Sequence, residues 1–299
     1  MILSYYADGC RLSYFLSFPH IRWGEILTRK KIVYRRPLLS LLIIPALAVT
    51  VTLCYASLLD IRERRVPFRT WYPMLAASLP FTVSFYGILL YNGEYILSVY
   101  LAALALIFSL LFYLFAYFHL FGGADAWALI FISLCIPAFP FVPLLGIPPL
   151  AFFPFSVLIN AVLLNLFTPA GIYLHNLKNG NRAPFPYMFL GFPVEGERIH
   201  ESYGYVMEEI TENEGDIRRR FIGFGEAIRG MTSGTGRIYT LDIRRHPEEY
   251  LKECERFVKA GQVWISYGVP FIVPITAGVI TALIFGDIFF GLIQVLYGV

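Results

Sequence analysis

Long apolar runs, separated by short polar or Pro/Gly-containing breaks, fill most of the chain between residues 38 and 174. A helix needs roughly 20 apolar residues to cross the hydrocarbon core of a bilayer, and most of these runs reach that length. With one more run near the C-terminus, the pattern predicts membrane-spanning helices at 38–60, 70–91, 95–119, 126–147, 150–174 and 263–285. The fourth span contains Pro137, Pro140 and Pro143, which predict that its second half is kinked or broken.

Residues 175–262 have the mixed polar and apolar pattern of a water-exposed domain. Alternating apolar side chains predict a strand over 237–243. The segment 247–260 opens with a proline and two acids and has an apolar side, which predicts an amphipathic helix that stops at Gly261. We expect a small α+β lobe between the fifth and sixth spans.

The fold class predicted is an all-α polytopic membrane protein with about six transmembrane helices and a small cytosolic α+β lobe inserted before the last helix. The chain divides into four regions: a basic N-terminal extension (1–36), a membrane domain (37–174), the lobe (175–262), and the last transmembrane helix with a C-terminal tail (263–299).

Composition supports a protein embedded in a bilayer. Charged residues make up 15% of the chain, against about 25% in soluble domains, and the mean hydropathy is +0.62. Between Arg69 and Lys178 the only acidic or basic side chains are Glu94 and Asp125. The four cysteines stand singly and form no CxxC pair, so the sequence predicts no metal site, disulfide framework or cofactor.

Orientation follows from the basic residues. If the loop 62–69 is cytoplasmic, alternation of the spans also places 119–125 and the lobe inside, with seventeen Lys/Arg inside and none in the outer loops. The segment 1–36 breaks this rule, because its seven basic residues then precede the first span on the outer side. Either this segment contains another membrane element, or the natural start lies downstream.

Asp125 and Asp60 are the candidate catalytic residues. Asp125 opens a helix after Gly122, Gly123 and Ala124. An acid at this position is most simply interpreted as a helix cap. However, an ionisable group at membrane depth is costly and is a functional candidate by default. Asp60 ends the first span, where the helix dipole disfavours an acid. The predicted topology puts both near the cytoplasmic surface, where two carboxylates can share a proton and activate water.

Three stretches carry a family resemblance. Residues 60–67 (DIRERRVP), followed by Trp71, resemble the first aspartate motif of type IV prepilin and archaeal preflagellin peptidases, which are GxGD intramembrane aspartic proteases. Residues 122–126 (GGADA) look like the GxGD motif of that family, in the GGAD form seen in archaeal members. Residues 263–271 (VWISYGVPF) look like the start of the last span of those peptidases. A tryptophan at Trp127 departs from the family, in which a basic residue is common at this position.

The resemblance implies an aspartic endopeptidase of the plasma membrane that removes a short basic leader from type IV pilin-like or archaeal flagellin precursors at the cytoplasmic face. It implies that Asp60 and Asp125 are the catalytic pair and that Gly122, Gly123 and Ala124 shape the active-site loop. The expected partners are these precursor proteins and the lipid bilayer. A run of arginines at 218–220 indicates a solvated or lipid-headgroup patch, and no nucleic acid is expected as a partner.

Two further residues near the same surface are candidates for tuning the pair or contacting substrate. Arg62 follows Asp60 closely, and His119 precedes the glycine loop, although an interfacial histidine is the ordinary reading. Two alternatives stay open: an ion- or proton-coupled transporter that uses the intramembrane acids, and a non-catalytic scaffold of a secretion machine. Transporters usually have acids deeper in their spans and repeated halves, whereas both acids here lie at one border.

Overall fold

The structure is a computed structural model that describes residues 36–118, 121–213, 216–223, 225–226, 229, 238–266 and 271–297. The predicted extension 1–36 lies outside these residues except for its last one. Apolar helices form one layer of the molecule, and the segment between the fifth apolar run and the last one forms a separate small lobe.

The helices of the membrane region follow the apolar runs. They are α1 Arg36–Ser40, α2 Ile43–Glu63, α3 Tyr72–Tyr91 after a 3₁₀ turn at Phe68–Trp71, α4 Tyr95–Tyr117, α5 Gly123–Cys135, α6 Phe153–Asn165, α7 Thr168–Lys178, and, after the lobe, α11 Ile272–Ile284 and α12 Ile288–Tyr297.

Four continuous helical stretches among the described residues are long and apolar enough to span a bilayer. They are Leu38–Glu63, Phe68–Tyr91, Tyr95–Tyr117 and Phe153–Lys178. The pair α11 and α12, bent by 52° at Gly286–Asp287, makes a fifth span if it is counted as one. The chain is thus a membrane protein, and a sixth span stays a prediction.

The fourth predicted span, 126–147, is helical only as far as Cys135. At 1.5 Å per residue, the 13 residues of α5 are about 20 Å long, which is short of the roughly 30 Å hydrocarbon core. The chain then continues without regular helix through the three prolines to residue 152, as the expected break requires. The hydroxyl of Thr82 donates a 2.7 Å hydrogen bond to the Cys135 carbonyl and so satisfies the broken helix end.

Buried apolar side chains of α2 to α6 and α11 form one core. A buried hydrogen bond of 2.8 Å between the hydroxyls of Ser57 and Thr276 joins α2 to α11 just below Asp60. In the same way, the amide of Asn160 ties α6 to the bend that precedes α12, donating to the Gly286 carbonyl at 2.8 Å and accepting from the Ile288 N–H at 3.0 Å. This interhelical role is the one the sequence favours for an asparagine inside a span.

The lobe contains α8 Tyr187–Leu190, β1 Gly191–Glu195, β2 Glu208–Asn213, β3 Asp216–Phe221, α9 Thr240–Arg245, α10 Leu251–Ala260 and β4 Gln262–Ser266. β1 pairs antiparallel with β4, and β2 pairs antiparallel with β3. Single bridges from Val206 to Ile265 and from Tyr205 to Tyr239 extend the first pair sideways. The lobe is therefore α+β, with its own apolar core around Ile210, Phe257 and Val263.

Two predictions in and around the lobe change, and a third is confirmed. The last span does not start at 263, because Gln262–Ser266 pairs with β1 as a strand and helix α11 begins at Ile272. The strand predicted over 237–243 is wrong: Tyr239 makes a single bridge, and Thr240 to Ile243 lie in α9, while Arg237 is outside the described residues. The predicted helix over 247–260 is confirmed as a short 3₁₀ turn followed by α10, and it ends at Gly261 with φ +75°.

Candidate active site

Asp60 lies in the last turn of α2, where the chain turns sharply. Arg64 ends the helix in the left-handed region, at φ 53°, and its N–H donates a 3.0 Å hydrogen bond to the Asp60 carbonyl. Few residues other than glycine adopt this conformation, so Arg64 acts as a left-handed C-cap. The turn directs residues 64–66 away from the axis of α2 and across the space in front of Asp60.

Asp125 lies in the first turn of α5, which Gly122 caps with extended backbone. Its carboxylate folds back over the cap. A Cβ placed on Gly122 would therefore lie 2.5 Å from Asp125 Oδ2. The backbone of Ile272, the first residue of α11, is also close enough to the carboxylate to interact with it. Asp125 thus lies at the N-termini of two helices, where the dipoles and unpaired N–H groups favour a negative charge.

Asp60 and Asp125 line the same cavity, which has a volume of about 310 Å³. The two acids are close enough for their charges to interact. Among the described residues, the cavity lining comes from two short segments. One is the end of α2 and the loop after it, with Asp60, Arg64, Arg65 and Val66, and the other is the start of α5, with Gly122, Gly123, Ala124 and Asp125. The structure therefore brings together two acids that are separated by the whole of α3 and α4.

An aromatic cluster fixes the two segments to each other. The ring of Phe68, in the 3₁₀ turn after the Asp60 loop, makes edge contacts with Trp127 at 5.2 Å and with Phe131 at 6.0 Å between ring centroids. Trp127 stacks on Phe131 at 5.3 Å, and Trp71 contacts Phe131 from the other side at 5.7 Å. Such aromatic pairs are worth about 0.5–1.5 kcal/mol each beyond the area they bury.

The lobe reaches this site through Arg64. The guanidinium carbon of Arg64 lies 5.6 Å from the centroid of the Tyr203 ring, which belongs to the loop before β2. Tyr239 is also near: burial raises the pKa of its hydroxyl above the usual value, and the charge of Arg64 opposes part of that rise. The loop after Asp60 and the lobe are thus in direct contact.

Comparison with protein families agrees with this architecture. A model of the type IV leader peptidase family matches residues 47–170, which include both aspartates and the cavity lining. A model described as archaeal peptidase A24 C-terminus type II matches residues 183–288, which include the lobe and α11. The chain belongs to the type IV leader peptidase family. No curated protein matches the chain in a sequence comparison.

Membership of the leader peptidase family makes the chain an aspartic-type prepilin/preflagellin peptidase and a membrane protease. Members of this family act on pilin or flagellin precursors. This decides against the transporter and the non-catalytic scaffold that the sequence left open. The part of the chain that the structure describes contains no group of three or more His, Cys, Asp or Glu side chains that could hold a metal ion.

The remaining predicted residues of the peptidase have different positions. Arg62 is exposed on α2 and is not among the residues that line the cavity. His119 lies outside the described residues. Trp127, the departure from the family pattern, packs in the aromatic cluster with Phe68 and Phe131.

Arg64, Arg65 and Val66 line the cavity but were not predicted as site residues, although all three stand inside the motif that resembles the family. Tyr203 was not predicted either, and no local pattern gives a signal for it. The buried acid Asp287 was also not predicted as a notable residue, because it lies in the apolar tail. Asp287 caps α12 by accepting from the Phe290 N–H at 3.0 Å, and it accepts from the Ser156 hydroxyl at 3.1 Å.

Proposed function

We propose that this peptidase uses Asp60 and Asp125 as its catalytic pair and removes the short basic leader from type IV pilin-like or archaeal flagellin precursors at the cytoplasmic face of the plasma membrane. The observation that carries the proposal is the shared cavity: two acids far apart in sequence line one space of about 310 Å³. Both also stand in the segment matched by the leader peptidase model.

The chemistry needs one ionised and one protonated carboxyl group on either side of a water molecule. Like charges at short range resist double ionisation, so such a pair readily holds a single proton. The ionised carboxylate removes a proton from water as the water oxygen attacks the scissile carbonyl carbon. During this attack, the protonated partner donates its proton to the carbonyl oxygen. The C–N bond then breaks as the tetrahedral intermediate collapses and the leaving nitrogen takes a proton.

The surroundings of Asp125 support its place in this chemistry. The N-termini of α5 and α11 present fixed backbone groups to the Asp125 side chain, and these groups need no reorganisation during the reaction. Asp60 has an exposed loop beside it, and Gly122 and Gly123 present little side-chain bulk to an approaching substrate backbone. An extended peptide can therefore reach both acids from the lobe side.

The cytoplasmic face is supported by the charge distribution. The loop after Asp60 and the lobe carry seventeen of the 24 Lys and Arg residues, and the positive-inside rule places such segments in the cytoplasm. Because Arg64 contacts Tyr203, the lobe lies at the same end of the bundle as the cavity. Leader cleavage would then occur where the precursor's basic leader remains.

The test is cleavage of a pilin-like precursor in membranes that contain the wild type, Asp60→Asn or Asp125→Asn. Each variant should lose at least about a thousandfold in kcat/KM, because the amide cannot exchange the proton. Asp287→Asn is the matched control, since it changes another buried acid that does not line the cavity, and asparagine can keep the cap of α12. It should cleave at a rate close to that of the wild type.

The variants and the wild type must be compared at equal amounts of folded protein in the membrane fraction. The catalytic pair is wrong if Asp60→Asn or Asp125→Asn cleaves at a rate close to that of the wild type. A precursor that the wild type leaves intact, but that is cut when its leader is replaced by a flagellin-like or pilin-like one, identifies the substrate class.

A further inference from the structure

At the contact between Arg64 and Tyr203, a cavity-lining side chain meets an aromatic ring of the lobe. Arg64 lies four residues after Asp60, lines the cavity, and its charge attracts the Asp60 carboxylate. Its guanidinium carbon is 5.6 Å from the centroid of the Tyr203 ring, within the range of a cation–π contact. The ring therefore contacts a cation whose charge acts on one of the two acids.

Tyr203 is itself held by a second arginine. The guanidinium carbon of Arg244, in α9, lies 4.8 Å from the Tyr203 ring centroid. Arg244 Nη1 donates a 3.0 Å hydrogen bond to the Tyr203 hydroxyl, and Arg244 Nε donates at 2.7 Å to the His200 carbonyl. These contacts fix both the plane of the ring and the position of its hydroxyl.

The loop that contains Tyr203 is fixed on both sides. The buried hydroxyl of Thr240 donates a 2.7 Å hydrogen bond to the Ser202 carbonyl and accepts from the Gly204 N–H at 3.0 Å. The Tyr205 N–H donates to the Ser266 hydroxyl at 3.1 Å. A Cβ on Gly204 would collide with the Ser266 carbonyl oxygen, so only glycine allows this close approach.

The strand that supports this loop, β4, precedes α11, and α11 begins near the other acid, Asp125. Ser266 ends β4, and the chain enters α11 six residues later at Ile272, whose backbone reaches the Asp125 carboxylate. The contact between Tyr203 and Arg64 therefore connects the lobe to the loop that follows Asp60.

We propose that Tyr203 is a positioning residue of the peptidase reaction: its ring holds Arg64 beside Asp60, so that the lobe orients the catalytic loop. The proposal rests on the proposed catalytic role of Asp60. Tyr203 acts through Arg64 and has no contact with the reacting atoms. The backbone of Arg64 is bonded to the Asp60 carbonyl, so a displaced Arg64 moves the last turn of α2 and with it the acid. Misplacement by about 1 Å is enough to slow an enzyme considerably.

The experiment measures kcat and KM for precursor cleavage by full-length Tyr203→Leu, Tyr203→Phe and Arg64→Met. Tyr203→Leu should lower kcat/KM by roughly twofold to thirtyfold, the range of a cation–π contact, with the change in kcat and not in KM. Tyr203→Phe keeps the ring and should recover most of the lost rate. Tyr250→Leu is the matched control, because Tyr250 packs against the lobe core and lies outside the cavity lining.

A double-mutant cycle separates positioning from general destabilisation. Once Arg64→Met has removed the cation, Tyr203→Leu should cause no further loss, so the two effects on kcat should be clearly less than additive. Additive effects, wild-type kcat in Tyr203→Leu, a loss in Tyr203→Phe as large as in Tyr203→Leu, or an equal loss in Tyr250→Leu would each overturn the proposal.

Asp60→Asn distinguishes this outcome from failure of the proposed function. If Asp60→Asn is inactive and Tyr203→Leu is normal, the positioning role is wrong and the catalytic pair stands. If Asp60→Asn is active, the catalytic role of Asp60 and the positioning inference both fail.

Discussion

Gly122 and Gly123 precede the same aspartate but have different surroundings. A Cβ on Gly122 would lie 2.5 Å from Asp125 Oδ2 and 3.3 Å from its carboxyl carbon. A Cβ on Gly123 would meet no heavy atom within 4 Å. The backbone of Gly122, at φ −61°, is open to any residue, so the need for glycine there is steric.

Gly122→Ala should therefore lower kcat/KM by at least about tenfold, because the added methyl displaces the Asp125 carboxylate. Gly123→Ala should cause a much smaller loss, since its methyl projects into open space. Precursor cleavage by the two purified variants, compared at equal folded concentration, checks the difference. An equal loss in both variants would show that the loop needs flexibility at both positions and not space at one.

The cysteines provide a second test at the residue scale. Cys54, Cys135 and Cys254 are free thiols, and the described residues contain no cluster of metal ligands around them or the acids. We expect precursor cleavage to survive chelators and the replacement of all four cysteines by serine or alanine, because two carboxylates and water suffice for the reaction. Loss of cleavage on chelation, restored by zinc, would contradict the aspartic mechanism.

At the scale of elements, two irregular features shape the bundle: the short helix α5 and the bend between α11 and α12. The bend occurs at Gly286, whose φ of +93° favours glycine. Asn160 satisfies backbone groups on both sides of the bend, and Asp287 caps the helix that follows. Buried polar side chains thus replace the hydrogen bonds that a continuous helix would make.

Asn160→Ala should destabilise the protein by about 1–3 kcal/mol, because it leaves the Gly286 carbonyl and the Ile288 N–H buried without partners. Thermal unfolding in detergent measures the change. Asn165→Ala is the matched control, since Asn165 only accepts a 3.1 Å hydrogen bond from the Thr168 hydroxyl. Equal unfolding temperatures for the two variants would mean that the bend is stable without Asn160.

At the scale of the whole molecule, the cavity and the lobe lie at one end of the bundle and the bend lies at the other. Helix α2 ends, and helices α5 and α11 begin, around the two acids. At the opposite end, the Leu144 N–H bonds to the Ile284 carbonyl, next to the bend. A cytoplasmic lobe therefore requires the loop at Asn92, between α3 and α4, to face outward.

Single cysteines in a cysteine-free background test this topology. Asn92→Cys should react with a membrane-impermeant maleimide in intact cells, because the loop is exposed on the outer side. Lys252→Cys, on the exposed side of α10 in the lobe, should react only after permeabilisation. Labelling of position 252 in intact cells would invert the topology and place both acids on the wrong face for leader cleavage.

The local pattern of the chain was sufficient to predict several features. The spans 70–91 and 95–119 coincide closely with α3 and α4, because a long apolar run in a bilayer can satisfy its backbone only as a helix. The three prolines predicted the end of α5. Asp125 was predicted as a site residue because a charged side chain within a long apolar stretch is costly and is by default a functional candidate.

The tertiary structure decided what depends on contacts distant in sequence. Apolar alternation predicted a strand over 237–243, but Thr240 bonds to the loop at Ser202 and Gly204, and Ile243 packs in the lobe core as part of a helix. The apolar sequence of β4 was predicted to be part of a membrane span. Only its pairing with β1 distinguishes it from a span. Segments as short as these fit either periodicity, and long-range packing selects between them.

The residues of the site likewise divide into those that the sequence predicts and those that only the fold brings together. The sequence by itself determined the two acids, the glycines and their common end of the bundle, since charge pattern and span alternation act locally. Only the folded chain decided that Arg64 and Arg65, and not Arg62, line the cavity, because the left-handed turn at Arg64 sets their direction. Only the folded chain placed Tyr203 against Arg64, since no pattern in either segment encodes a contact between residues so far apart.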